Sequence, residues 1–271
     1  MKTFRFIGMA LFAILMCVNF TSCSGGDDDP TEEPEEGDVV VSGKKIVKII
    51  GTDNTESEIY TFSYDSKERL TEATYVQEYD NGKNTYKYIY QFIWGDDAIK
   101  VIEKYDSGNS GNTTLTLKNG LVQHEDYNDE GVGTFTYNSS NRLIKFSDGE
   151  DWTNTAIWDG DKLVSISEDE EECTLTYGKS CKKGYFPFVA SMIGLGESEI
   201  LYMAHPEIAG VRTTQLPTSI TWIYDGYGGT KSETSTMEYE FDKEGYITKI
   251  TGKETDSDGS TDTYTYTLTW Q

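Results

Sequence analysis

Tyr60, Phe62 and Tyr64 alternate with Thr61 and Ser63, the two-residue period of a strand with one dry and one wet face. Asp65-Ser66-Lys67-Glu68 breaks the pattern, and Arg69-Leu70 opens a second run that reaches Val76. The stretch reads as strand, tight turn, strand. Six such units follow one another with drift. Phe62-Ser63-Tyr64-Asp65 goes with Arg69-Leu70, Phe92-Ile93-Trp94-Gly95 with Ala98-Ile99, and Leu115-Thr116-Leu117-Lys118 with Gly120-Leu121. Phe135-Thr136-Tyr137-Asn138 goes with Arg142-Leu143, Ala156-Ile157-Trp158-Asp159 with Lys162-Leu163, and Tyr239-Glu240-Phe241-Asp242 with Tyr246-Ile247. The turns between the pairs are rich in Asp, Asn, Gly and Ser, which accept left-handed or side-chain-capped backbone. Recurrence at a spacing of roughly twenty to thirty residues marks a repeat architecture.

Between 185 and 214 the alternation stops. Val189, Met192 and Ile193 fall at helical spacing, and Ser198 precedes the apolar run Glu199 to Ala204 as a candidate cap. Two short helices are expected, packing on the sheet or closing one end of it. Counting both arms of each hairpin and the last run, Thr263 to Trp270, gives about sixteen strands. Tyr86, Tyr88, Tyr90, Phe92 and Trp94 define the dry face, and Tyr264, Tyr266, Leu268 and Trp270 repeat it. Opposite positions are mostly Thr, Lys, Ser and Glu, the mark of an antiparallel sheet with one solvated side. A closed ring of sixteen tilted strands would be roughly 32 Å across, too wide for inward aromatic side chains to fill. It must therefore be flattened, plugged by the 185–214 segment, or left open and curled. The expected fold is an all-β antiparallel meander of hairpins curled into one barrel-like body over residues 44–271, with a small helical insertion. A barrel with its aromatic face in lipid fits poorly, because lipid-facing bands are aliphatic and here tyrosine dominates.

Residues 1–22 carry a positive start, Lys2 and Arg5, then a short apolar core from Phe6 to Val18, which reads as a targeting segment too short to span a membrane. Phe20-Thr21-Ser22-Cys23 resembles the lipobox of bacterial lipoproteins, which implies lipidation of Cys23. Ser24-Gly25-Gly26-Asp27-Asp28-Asp29 is similar to the acidic export signal of Bacteroidota lipoproteins, which implies the outer face of the outer membrane. Pro30 to Asp38 continues as a tether with almost no apolar residue, so residues 23–43 are read as unfolded linker. Formal charge is −24 for the whole chain. A surface of this sign repels phosphate and argues against a nucleic-acid partner. Cys173 and Cys181, eight positions apart, are read either as a disulfide closing the loop between them or as two buried free thiols. Neither has metal-ligand spacing.

The hairpin FxYDxxxRL resembles the YD repeats of Rhs-type and teneurin-like proteins, whose Tyr-Asp and Arg-Leu pairs mark the two arms of a β-hairpin. The ladder, its helical interruption and the restart at Leu216-Pro217-Thr218-Ser219-Ile220 resemble, over roughly residues 44 to 270, the secreted Bacteroidota family called domain of unknown function 4595. That resemblance implies a porin-like fold and no particular activity.

Candidate chemistry is sparse. His124 lies in a strand arm and His205 ends the second expected helix, and both are read as structural. Glu168 to Glu172 reads as a solvated turn. Asp256-Ser257-Asp258-Gly259 with Asp262 has something of a calcium loop's spacing but no distal Glu, and fits an ordinary hairpin turn better, so no metal or other cofactor is expected. Trp152 and Tyr227 are the candidate ligand-binding aromatics, placed at turn edges where a ring could stack on a sugar. Trp158 and Trp222 continue the buried stripe instead. The leading expectation is a non-enzymatic surface lipoprotein, held in the outer membrane by its lipid, that binds an extracellular ligand such as a glycan or serves as a protein-interaction scaffold. A carboxylate-dependent glycoside hydrolase is the enzyme alternative, and it requires two buried acids facing a cleft.

Overall fold

The computed structural model describes residues 43–271 other than 80, 81, 107, 109, 129, 130, 150, 151, 169, 170, 197, 227 and 228. The targeting segment, Cys23 and most of the tether lie outside these residues, as does Tyr227. Sixteen strands are formed. The first eight are β1 (Ile46–Thr52), β2 (Ser57–Tyr64), β3 (Leu70–Tyr79), β4 (Asn84–Trp94), β5 (Ala98–Tyr105), β6 (Ser110–Lys118), β7 (Leu121–Asp126) and β8 (Val132–Tyr137). The second eight are β9 (Leu143–Ser147), β10 (Thr153–Asp159), β11 (Lys162–Glu168), β12 (Glu171–Ser180), β13 (Gln215–Gly226), β14 (Gly229–Phe241), β15 (Ile247–Asp256) and β16 (Thr261–Trp270). Every strand pairs antiparallel with its sequence neighbours, and β1 pairs with β16, so the meander closes into a barrel. Two short helices, α1 (Val189–Ile193) and α2 (Glu199–Ala204), lie in the connection from β12 to β13. The plugged form of the barrel is the one adopted.

The repeat has eight members rather than six. Six are closed by tight turns at one end of the barrel. The seventh is β12 with β13, whose turn is replaced by the helical insertion, and the eighth is β16 with β1, where the chain ends meet. Lys45 and Gln271 exchange both backbone hydrogen bonds at this seam, at 2.8 and 2.9 Å. The repeating aromatic has a physical task. At the end of seven of the eight even-numbered strands an inward Tyr or Trp donates a hydrogen bond to a backbone carbonyl at the start of the odd-numbered strand before it. Tyr64 reaches Ile46, Trp94 Leu70, Tyr137 Val122, Trp158 Leu143, Tyr177 Leu163, Tyr239 Pro217 and Trp270 Ile247, all at 2.6–2.7 Å. The β6 repeat carries Leu117 at this position. In β14 the latch comes from Tyr239, two residues before the exposed Phe241. The Asp or Asn that follows the aromatic closes the turn: Asp65 accepts from the backbone N–H of Lys67 and Arg69, Asn138 from Ser140 and Arg142, Asp242 from Glu244, Gly245 and Tyr246.

Residues 181–214 fill the barrel from the same end. The segment runs around the inside of the ring and supplies acceptors where successive hairpins lack them. The N–H of Leu70 donates to His205 Nε2 at 3.2 Å, that of Val122 to Ile208 O at 2.9 Å, and that of Leu143 to Gly210 O at 3.3 Å. Because Nε2 of His205 accepts, its proton sits on Nδ1 and is given to Glu207 at 2.8 Å. His205 is thus structural, its ring edge-on to Tyr64 and Trp94. The helices contact opposite walls: Tyr202 against Phe135, Phe188 against Tyr266, and the Asn154 amide on Ile193 O. Ser198 precedes α2 as expected, but its hydroxyl caps nothing. Its backbone N–H is held instead by Glu125 at 2.9 Å.

The outer face is polar. On β16 it is Thr261, Thr263, Thr265, Thr267 and Thr269; on β15, Lys249, Thr251, Lys253 and Thr255; on β14, Ser232, Thr234, Thr236, Glu238 and Glu240. Ile93, Val132, Ile223 and Phe241 are exposed at scattered points and do not join into a band.

Candidate functional site

The end opposite the capped one is the mouth, and tyrosine lines it. Inward positions of β3, β4 and β5 near that end are Tyr75, Tyr79, Tyr86, Tyr88 and Tyr105. Cross-strand pairing brings their rings together: Tyr79 with Tyr86 at 5.8 Å, Tyr88 with Tyr105 at 5.5 Å, Tyr75 with Tyr88 at 5.7 Å, and Tyr60 with Tyr75 at 4.8 Å. Exposure falls with depth. Tyr86 is 52% exposed, Tyr79, Tyr88 and Tyr105 are half-buried, and Tyr60, Tyr75 and Tyr90 are buried. Contact with water therefore ends part-way down a wall of ring faces. Glu103 joins this wall, accepting from Tyr105 Oη at 2.8 Å.

Two carboxyls lie at the bottom. Glu58 sits on β2 between Gly51 and Gln77 in register, and Tyr60 Oη donates to its Oε2 at 2.7 Å. Its Oε1 has no hydrogen-bond partner among the described residues. Burial pushes the Glu58 carboxyl up to about 7, against the pull of the Tyr60 hydrogen bond. Glu199 comes from α2, where Ser191 Oγ donates to Oε1 and Oε2 is without a partner among the described residues. Burial pushes it up to about 8, and the charge of Glu58 adds to the shift. A carboxyl that holds its proton near neutral pH can donate as well as accept.

A second acidic group lies on the inner wall where β14, β15 and β16 approach the mouth. Oxygens of Glu233, Glu254 and Asp256 lie within 4.8 Å of one another. Glu254 is pushed up to about 8, first by burial and then by the charges of Glu233 and Asp256. The carboxyls of Glu233 and Glu254 are in hydrogen-bonding contact. A glycoside hydrolase of the retaining type keeps its two carboxyls about 5 Å apart with the sugar between them. Acids in direct contact leave no such gap.

The sequence-predicted site residues scatter. Trp152 is 8% exposed, its ring edge-on to Phe146 at 5.5 Å. It is core, its ring packed beside Gly194 of the plug, and it offers no face to a ligand. Cys173 and Cys181 are free and buried rather than bonded. Cys173 sits in the inner wall of β12, while Cys181 has already left the strand and contacts Thr214 O. Asp256 to Ser260 form a plain hairpin turn, with Asp258 accepting from Ser260 N, so the spacing noted in the sequence is not a cation loop. Asp256 accepts from Ser260 Oγ at 2.8 Å within that turn and also lies beside Glu233 and Glu254. Trp158 and Trp222 do pack against the core. What sequence reading missed are the acids that fall in the apolar phase of a strand: Glu58 with Tyr60 and Phe62, Glu103 with Val101 and Tyr105, Glu233 with Met237, Glu254 with Ile250. An acid in phase with core residues was the available signal.

Among solved structures, a porin-like protein from Bacteroides uniformis matches with a TM-score of 0.60 and 18% identity, over 83% of this chain and 98% of that one. The fold is porin-like. A second porin-like protein, from Bacteroides vulgatus, matches with a TM-score of 0.37 and 10% identity over 84% of this chain and 99% of that one. No protein-family model matches the chain. No curated protein matches it. The resemblances to YD repeats and to the domain-of-unknown-function family thus rest on the hairpin residues alone. The likeness to porins is one of backbone: an outer-membrane barrel turns an apolar band outward and keeps a polar lumen, whereas this barrel turns threonine outward and fills its inside.

Proposed function

We propose that this chain is a non-enzymatic, surface-facing outer-membrane lipoprotein that binds a glycan-type extracellular ligand at its tyrosine-lined mouth. The observation that carries the reading is the wet part of the tyrosine wall, Tyr79, Tyr86, Tyr88 and Tyr105 beside Glu103. Ring faces that stack on the apolar side of a sugar, next to carboxylates that accept from its hydroxyls, are the chemistry such a ligand needs. The platform is therefore assigned to β3–β5 and not to Trp152. Placement favours the same reading. The barrel begins at its capped end, where Lys44 N–H is held by Tyr246 Oη at 2.9 Å. A tether running from a lipidated Cys23 would enter there and leave the mouth pointing away from the membrane.

The test is a glycan array and polysaccharide pull-down with the chain starting at Ser24. Saturable binding that falls at least tenfold in Tyr86→Ala and Tyr88→Ala is the expected result. A blank across the array, or binding indifferent to both substitutions, sinks the reading and leaves a protein-interaction scaffold as the next to pursue.

A further inference from the structure

Two buried hydroxyls, those of Ser235 and Tyr264, lie against the acidic group at the β14–β15–β16 wall with no partner but each other among the described residues. Ser235 is directly opposite Glu254 in the ladder, one inward position from the Glu233–Asp256 pair. It is 0% exposed, and its Oγ has no well-formed hydrogen bond among the described residues. Tyr264 faces Gly252, and the Tyr264 ring lies flat over that glycine. A Cβ at 252 would stand inside the ring, so glycine there is what lets Tyr264 cross β15 toward β14. The Tyr264 hydroxyl is likewise buried, its neighbour the Ser235 hydroxyl at the edge of hydrogen-bonding reach, within the field of Glu233 and Glu254. Leaving a buried hydroxyl poorly satisfied is costly, and here two hydroxyl oxygens with lone pairs to give stand beside three carboxyls, an oxygen set that a cation would complete.

We propose that Glu233, Glu254 and Asp256, with the hydroxyls of Ser235 and Tyr264, form a binding site for a hard divalent cation of the calcium class. Glu233 and Glu254 are 4% and 7% exposed, so the carboxylates already stand partly dehydrated, and their mutual repulsion falls when two positive charges lie between them. All five groups offer oxygen. That suits a calcium-like ion, which takes six to eight oxygens in flexible geometry at about 2.3–2.6 Å, and not zinc, which prefers His and Cys. A smaller ion that demands a near-ideal octahedron and keeps several waters fits a dry, side-chain-built pocket less well. Asp262, inward on β16 opposite Glu254, closes the rim. The site is separate from the Tyr86–Tyr88 wall, so it stands or falls apart from the glycan reading.

The experiment uses the chain from Ser24, freed of metal by chelator and titrated with calcium, and separately with terbium, whose luminescence tyrosine sensitises. A saturable rise in unfolding temperature with calcium, and a terbium signal that calcium displaces, are expected. Glu254→Gln, which keeps the shape of the protonated acid and its contact with Glu233 and so keeps the fold, should weaken both at least tenfold. Ser235→Ala should weaken them several-fold, and Tyr264→Phe should also dim the terbium signal. Absence of any response in the unsubstituted chain overturns the proposal. An equal response in Glu254→Gln also overturns it, because the cation is then held by other acids. Should Glu254→Gln fail to fold, Asp256→Asn at the half-buried member decides by the same criterion.

Discussion

Glu199 shows how a single residue can put a plug under tension. In the unfolded chain its carboxyl titrates near 4.5, in the barrel near 8, because burial disfavours the charge. Below the unfolded value both states are protonated and pH has no effect. Between the two values the folded chain keeps a proton that the unfolded chain has released, so stability falls as pH rises, then levels off. The slope is at most about 1.4 kcal/mol per pH unit for one such group. Glu58 acts in the same sense up to about 7 and Glu254 up to about 8. The depressed acids Asp65, Asp242 and Glu207 act in the opposite sense, but only below the ordinary carboxyl range. In metal-free buffer the urea midpoint is expected to be higher near pH 5 than near pH 8, with a visibly shallower slope in Glu199→Gln. A midpoint that climbs over this range contradicts the assignment. Gly210 is a second residue-scale case. Its backbone has φ of 65°, and a Cβ there would press on the Asn141 carbonyl and the Tyr137 ring. Gly210→Ala is expected to cost about 3 kcal/mol or more in chemical denaturation, since strain and clash act together.

At the level of elements, the aromatic latch explains why the hairpins repeat. Each strand pair would otherwise end on a carbonyl turned away from the ladder, and the Tyr hydroxyl or Trp N–H satisfies it while the ring closes the core. Tyr137→Phe removes one donor and leaves the ring, so a loss of about 1 kcal/mol is expected. Trp158→Phe should cost more, because Arg142 also stacks on that indole at 4.8 Å. Equilibrium unfolding of the two variants checks both values. The six units with tight turns were legible because strand, turn and returning strand are contiguous. The other two were not. Thr176-Tyr177 is severed from Leu216 by the insertion, and Trp270 from Ile46 by the whole barrel, while the latches of Tyr177 on Leu163 and Trp270 on Ile247 run to the preceding strand. The mouth was harder still to read. Tyr86 and Tyr88 look like core residues on periodicity alone, and only their position near the wet end of β4 separates them from Tyr90. Trp152 erred the other way: it sits next to a turn in the sequence, yet its ring is buried beside Gly194 of the plug.

As a whole, the molecule is a porin-like backbone with its polarity reversed. A ring this wide needs either a watery lumen or a filling, and residues 181–214 provide the filling from within the chain. Five threonines along the outside of β16 cannot face hydrocarbon, while they face water at no cost. The chain from Ser24 is accordingly expected to run as a monomer in size-exclusion chromatography without detergent. Detergent-dependent solubility would contradict the surface described for β14–β16. Closure of the ring also bears on how the chain could be cut and rejoined. The seam at Lys45 and Gln271 is, in hydrogen bonding, one more hairpin that merely lacks its turn. The barrel itself thus makes no demand for a break between β16 and β1. A permuted chain, with residues 43 and 271 joined by a short linker and new ends opened between Asn119 and Gly120 (the unlatched repeat), should fold to the same sixteen strands.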